Sequence, residues 1–107
     1  MWFLRIQQQM AHINLPPDLP GIRGPMAFRP ETSKHLNDLA EVLLRSENSL
    51  SRGDRELIAT YVSYLNDCFF CQNAHGGLTQ YYLQCDMSTL DAIKADPERE
   101  LISPKLR

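Results

Sequence analysis

The sequence predicts an all-α fold, and three observations carry that reading. Apolar residues recur at helical spacing from Pro30 onward, cap signals divide that stretch into successive helices, and no segment alternates convincingly as a strand. The first 30 residues differ: Pro16, Pro17, Pro20, Pro25 and Pro30, punctuated by Gly21 and Gly24, predict an irregular arm wrapped on the rest. Phe3 to Ile6 is a short piece that reads as extended. The expected organisation is one domain, 1–107, with an arm over 1–30 and helices over 31–107.

Leu36, Leu39, Ala40 and Leu43 stand at i, i+3, i+4 and i+7, with Lys34, Asn37, Asp38, Glu41 and Arg45 around the other side. This first helix ends at Ser46-Glu47-Asn48-Ser49. Ser51 with Asp54 three residues on is a weaker form of the capping box, and it opens a helix whose apolar face is Leu57, Ile58, Tyr61, Val62 and Leu65. Asn66-Asp67 is the next break, with Asp67 expected to cap a helix running from Cys68 to about Gln84. Gly76-Gly77 inside it costs about 2 kcal/mol relative to alanine, which calls for close backbone packing in return. Ser88 with Asp91 starts a last helix carrying Leu90 and Ile93 and stopping before Pro97. Ser103-Pro104 is one more helix-start signal, followed only by Lys105, Leu106 and Arg107.

Composition narrows the function. With 43% apolar and 22% charged residues the chain reads as an ordinary globular protein. A net charge of −2, scattered along the chain, weighs against nucleic acid or an anionic membrane surface as partner. No apolar run approaches the ~18 residues of a membrane span, and no long apolar segment follows Met1. A cytoplasmic location is therefore expected. Three cysteines in such a chain, two of them in Cys68-Phe69-Phe70-Cys71, read as redox chemistry or metal binding and not as a disulfide scaffold.

From Leu57 to Cys85 the single full charge is Asp67, so the stretch is expected to be largely buried. Cys68, Cys71 and His75 fall within about 60° on one helix face, at i, i+3 and i+7. The two cysteines are near enough for a disulfide with small adjustment, and an imidazole at i+4 can reach the Cys71 thiol. On one straight helix Glu56 would stand ~18 Å from Cys68. A hairpin at Asn66-Asp67 changes this, because Glu56 lies nine residues before Leu65 and His75 seven after Cys68. At ~1.5 Å per residue their heights then differ by about one turn or less. The helical wheel pulls the other way. It sets Glu56 opposite the Leu57/Ile58/Tyr61/Val62 stripe, on the solvent side, although Ala59, Thr60 and Ser63 around it would let another helix approach.

These residue types fit thiol chemistry. A thiolate attacks electrophilic oxygen or sulfur, histidine can take the thiol proton near neutral pH, and a carboxylate can orient the imidazole directly or through water. A second cysteine resolves the sulfenic acid as a disulfide. The helix dipole favours Cys68 as the attacking thiol and proximity to His75 favours Cys71, so the residues leave the choice open. Zinc is the main competing reading, with Cys68, Cys71 and His75 as three ligands but no second nearby pair. Two buried cysteines with a core histidine is the structural alternative. A c-type haem site would need histidine where Gln72 stands. Cys85 and Tyr61, Tyr64, Tyr81 and Tyr82 read as packing residues, and His12 and His35 carry no specific signal.

Glu56-x11-Cys68-x2-Cys71-x3-His75 resembles the active-site signature of the alkylhydroperoxidase D-like family, within the carboxymuconolactone decarboxylase superfamily. Pro20-Gly21-Ile22-Arg23-Gly24, Phe28-Arg29-Pro30-Glu31-Thr32, Arg55-Glu56-Leu57-Ile58-Ala59 and Asn66-Asp67-Cys68 resemble its peroxidase-related branch. The resemblance implies an all-helical fold, usually a homo-oligomer, and thiol-dependent reduction of a hydroperoxide substrate without metal or organic cofactor, recharged by an external dithiol reductant. It assigns Cys71 as attacking cysteine, Cys68 as resolving cysteine, and Glu56 with His75 as a Glu–water–His proton relay. Best-known members carry a histidine directly before the second cysteine, where this chain has Phe70, so one relay member is absent. Decarboxylase members lack the cysteine pair, which makes decarboxylation of a muconolactone an unexpected activity here. Members of the branch usually continue beyond a segment like Ser103-Pro104-Lys105-Leu106-Arg107, which implies a shortened chain whose core is completed by neighbouring copies.

Overall fold

The computed structural model describes residues 11–98 and 102–106, so Phe3 to Ile6 lies outside the described residues. Five α-helices follow in order: α1 (Arg23–Phe28), α2 (Pro30–Arg45), α3 (Arg52–Leu65), α4 (Phe69–Leu83) and α5 (Met87–Ala95), then one 3-10 turn at Pro104–Leu106. No strand occurs among the described residues. The arm is less irregular than its prolines suggest. Gly21 takes φ +56°, the Arg23 amide closes a turn onto the Pro20 carbonyl at 3.2 Å, and α1 follows. Pro25 fits inside α1 because it occupies the first turn, where an amide N–H has no intrahelical partner.

The α3–α4 antiparallel hairpin carries most of the tertiary packing. Ser51 caps α3 as expected, its Oγ accepting the Asp54 amide at 3.0 Å. The turn into α4 is built differently from the sequence expectation. Asp67 does not cap α4; it adopts φ +52° and closes a Schellman motif at the end of α3. Its amide donates to the Tyr64 carbonyl at 3.1 Å and the Cys68 amide to the Ser63 carbonyl at 3.0 Å. Cys68 is the N-cap of α4, extended in backbone, with its Sγ accepting the Cys71 amide at 3.3 Å. An aspartate tolerates the left-handed region better than most side chains, and with it spent on the turn, the cap falls to the next residue.

Gly53 lets the far end of α4 close onto α3: a Cβ there would run into Leu83 and stand 3.2 Å from Tyr82 Cβ. The close packing expected at Gly76-Gly77 holds for Gly76 alone, which is buried with Leu90 and Thr60 beside it, whereas Gly77 has open space. α5 begins two residues earlier than Ser88 suggests. Asp86 is its N-cap, accepting the Thr89 amide at 2.9 Å and the Ser88 and Thr89 hydroxyls at 2.7 and 3.0 Å. These three bonds hold the Asp86 carboxyl below its ordinary pKa.

The core is small: Leu57, Leu90, Ile93 and Ile102, with Cys85 and Leu106 packed against it. The turn at Pro104 thus docks through Leu106 instead of fraying. Burial pushes the Cys85 thiol up, as expected of a packing cysteine. The stretch 57–85 is not largely buried, contrary to expectation. Ile58, Val62, Leu65, Phe69, Leu78, Tyr81 and Leu83 are all exposed, and so is Tyr64. A single hairpin can cover one face of each helix, and here the covered face of α3 is mostly small and polar: Gly53, Glu56, Leu57, Thr60 and Ser63. Each exposed tyrosine packs on a half-buried one, Tyr81 on Tyr82 at 5.1 Å and Tyr64 on Tyr61 at 6.2 Å, and Arg52 lies over the Tyr82 ring at 4.5 Å.

α2 has no buried residue at all. What ties it to α3 is Arg55, itself buried, whose Nη1 donates to the Leu43 and Ser46 carbonyls at 3.2 and 2.7 Å. These are groups at the C-terminal end of α2, where a cation also complements the helix dipole. The result is a flat molecule, 19 Å in its thinnest direction, with a radius of gyration of 16.7 Å. A compact domain of ~100 residues has a radius of gyration near ~13 Å.

Candidate functional site

Glu56 faces α4, not solvent. At 2% exposure it is among the most buried residues of the chain, and its Oε2 lies 2.7 Å from Nδ1 of His75. The hairpin arithmetic is therefore upheld against the helical wheel. The wheel misleads because most of the apolar stripe of α3 is left uncovered, Ile58, Val62 and Leu65 being exposed and Leu57 alone entering the core, while small residues line the face where α4 approaches. At this distance no water fits between the two side chains, so the contact is direct and not bridged by water as expected. An ionised carboxylate only accepts, so opposite it Nδ1 is the donor of this contact and Nε2 is the ring nitrogen that takes no part in it. The His75 side chain retains 28% exposure, so the pair has one buried end and one end open toward solvent.

Two threonines lock the turns that carry this pair. Thr60 Oγ1 donates to the Glu56 carbonyl at 2.8 Å, and Thr79 Oγ1 donates to the His75 carbonyl at 2.8 Å. The two hydroxyls also lie 3.1 Å apart across the hairpin and are fully buried. Two protons thus serve three short contacts, which couples the residue four after the acid to the residue four after the histidine. Periodicity marks Thr60 only as a small residue, gives Arg55 no role beyond its place in the Arg55–Ala59 stretch, and does not mark Thr79. The matching Glu-x3-Thr and His-x3-Thr spacings were the signal for the threonines.

Cys68 and Cys71 form a disulfide with Cα atoms 5.3 Å apart, at the N-cap and in the first turn of α4. Both are half-buried, and His75 follows Cys71 by one helical turn on α4. The fold therefore gathers all four expected residues around one hairpin: Glu56 from α3, and Cys68, Cys71 and His75 from the N-terminal half of α4. A helix N-terminus favours negative charge, so it supports a thiolate on either cysteine once the disulfide is opened. Among the described residues no group of three or more His, Cys, Asp or Glu side chains is arranged to hold a metal ion. A shallow apolar cleft lined by Ile58, Tyr61, Val62, Pro97 and Leu106 lies on the opposite face of α3, away from this chemistry. No described helix is long and apolar enough to cross a membrane.

Residues 30–79 match the carboxymuconolactone decarboxylase family. That segment spans α2, α3 and α4 as far as Thr79, and so includes Glu56, Cys68, Cys71 and His75. No curated protein and no solved structure matches the chain.

Proposed function

We propose, from the chain's membership through residues 30–79 of the carboxymuconolactone decarboxylase family, which includes the alkylhydroperoxidase D-like peroxidases, that it is a thiol-dependent peroxidase. The observation that carries the reading is the buried Glu56–His75 pair, 2.7 Å apart, on the hairpin that presents the Cys68–Cys71 dithiol. A buried carboxylate fixed on a partly exposed imidazole is what a proton relay needs and what a merely structural cysteine pair does not.

In this reading the Cys71 thiol gives its proton to Nε2 of His75, while Glu56 holds Nδ1–H and stabilises the imidazolium. The Cys71 thiolate attacks the distal oxygen of the hydroperoxide. The O–O bond breaks, Cys71 becomes a sulfenic acid, and the departing alkoxide takes the proton from His75 and leaves as an alcohol. The Cys68 thiolate then attacks the sulfenic sulfur, releasing hydroxide that is protonated to water, and the disulfide forms. An external dithiol, as a reducing cytoplasm supplies, returns both cysteines to thiols. Cys71 is preferred over Cys68 as the attacking residue because His75 lies one turn beyond it.

The chain acts as a single domain over 1–107 that associates with copies of itself. Leu36, Leu39, Val42 and Leu43 of α2 are exposed, and Leu43 shares a groove with Ile58 and Val62 of α3. Exposed apolar area of this extent, on a chain whose α2 buries nothing, suits a partner of the same composition. Cys71→Ser tests the catalytic assignment: it should abolish peroxide consumption while leaving the helical content unchanged. Undiminished turnover in that variant, or stoichiometric zinc in the purified wild-type protein, would overturn it.

A further inference from the structure

Of the two aromatic rings between the cysteines, one is covered by the described part of the arm, at Gly21. Phe69 is 77% exposed, but its neighbour Phe70 is half-buried, with Gly21 seated on its ring. The contact is so close that a Cβ on Gly21 would stand 2.6 Å from Phe70 Cγ, and Gly21 takes φ +56°, where any other residue is strained. The arm is consolidated behind this point. Gly24 is buried, with Leu15 side-chain atoms and the Leu19 carbonyl within 4 Å of where its Cβ would be. Pro16, Pro17, Pro20 and Pro25 lower the entropy lost when the arm docks.

We propose that the Gly21–Phe70 contact couples the arm to the redox state of the dithiol, with Gly21 acting as a positioning residue for the Cys68–Cys71 turn. The inference rests on the dithiol being the redox centre. The disulfide fixes the backbone on both sides of Phe70 and so holds the ring as a preformed seat for Gly21. A seat that the arm prefers in the disulfide form must, by reciprocity, make the arm favour that form. When an external dithiol reduces the pair, its two thiols become a disulfide, the Cys68–Cys71 bond breaks, and Cys68 and Cys71 each gain a proton and an electron. The constraint on Phe70 goes with the bond, and the arm loosens. The Cys68–Cys71 disulfide is thereby stabilised while the arm is docked, and the arm reports reduction to whatever approaches the site.

The test measures the dithiol–disulfide equilibrium of the full chain against dithiothreitol or glutathione, without any peroxide. Gly21→Ala should shift that equilibrium toward the dithiol by roughly threefold or more. Gly77→Ala, on the same helix in open space, should leave it unchanged. In a Phe70→Leu background Gly21→Ala should lose most of its effect. Tryptic cleavage after exposed Arg23 should be faster in the reduced wild-type protein than in the oxidised one. An unshifted equilibrium in Gly21→Ala, or equal cleavage rates in the two redox states, would overturn the coupling. A wild-type pair that does not exchange reversibly at all would instead overturn the peroxidase reading on which it rests.

Discussion

Glu56 is an ionisable side chain kept almost wholly from solvent, and a carboxylate in that position needs a partner that stays in place. His75 is that partner, at 2.7 Å, and the hydrogen bond selects which ring nitrogen is free. Glu56→Gln separates the geometric from the electrostatic contribution, because the amide can still accept from Nδ1 but carries no charge to stabilise an imidazolium. The expected outcome is a peroxide-driven oxidation of the protein slowed by about 10²-fold, with a circular dichroism spectrum like the wild type's. A rate within about twofold of wild type would mean the carboxylate charge has no role in the proton relay.

At the scale of elements, the hairpin of α3 and α4 is held by polar contacts where most helix pairs use leucines. Thr60 and Thr79 are isosteric with valine, and the effect of replacing them depends on whether one or both are changed. Either single substitution, Thr60→Val or Thr79→Val, removes a proton from a fully buried pair of hydroxyls and should cost about 1–2 kcal/mol in urea denaturation. The double substitution removes both polar groups at once and should cost clearly less than the sum of the two. Strict additivity would show that the 3.1 Å contact carries no coupling.

Much of this element-level design was legible in the sequence. The Ser51 cap, the helix limits near Arg45 and Leu65 and the nearness of Glu56 to His75 all follow from cap signals and a rise of ~1.5 Å per residue. What periodicity misread was the direction of burial. The Leu57/Ile58/Tyr61/Val62/Leu65 stripe reads as the inner face, but only Leu57 of it enters the core, while Ile58, Val62 and Leu65 are exposed and α4 packs on the small polar face that carries Glu56. Asp67 was misread for a related reason: the same residue type serves an N-cap and a left-handed C-terminal turn, and only the backbone distinguishes them. The arm's short helix was hidden by its prolines, one of which occupies a first turn that needs no amide.

At the scale of the whole molecule, a chain 19 Å thin whose α2 buries nothing does not enclose its apolar residues alone. If copies of the chain supply the cover, the wild-type protein should sediment as an oligomer at micromolar concentration. Val42→Glu with Leu43→Lys on the exposed face of α2 should reduce the observed mass by a whole-number factor. A wild-type protein that sediments as a monomer across that range would contradict the self-association proposed for this face.

A redox couple of Cys68 and Cys71 that a hydroperoxide oxidises is open to a thiol count. Starting from fully reduced protein, addition of one equivalent of an organic hydroperoxide should remove two titratable thiols per chain, leave that of Cys85, and be reversed by a dithiol. An unchanged count of three, or a loss that a dithiol does not restore, would rule out such a couple.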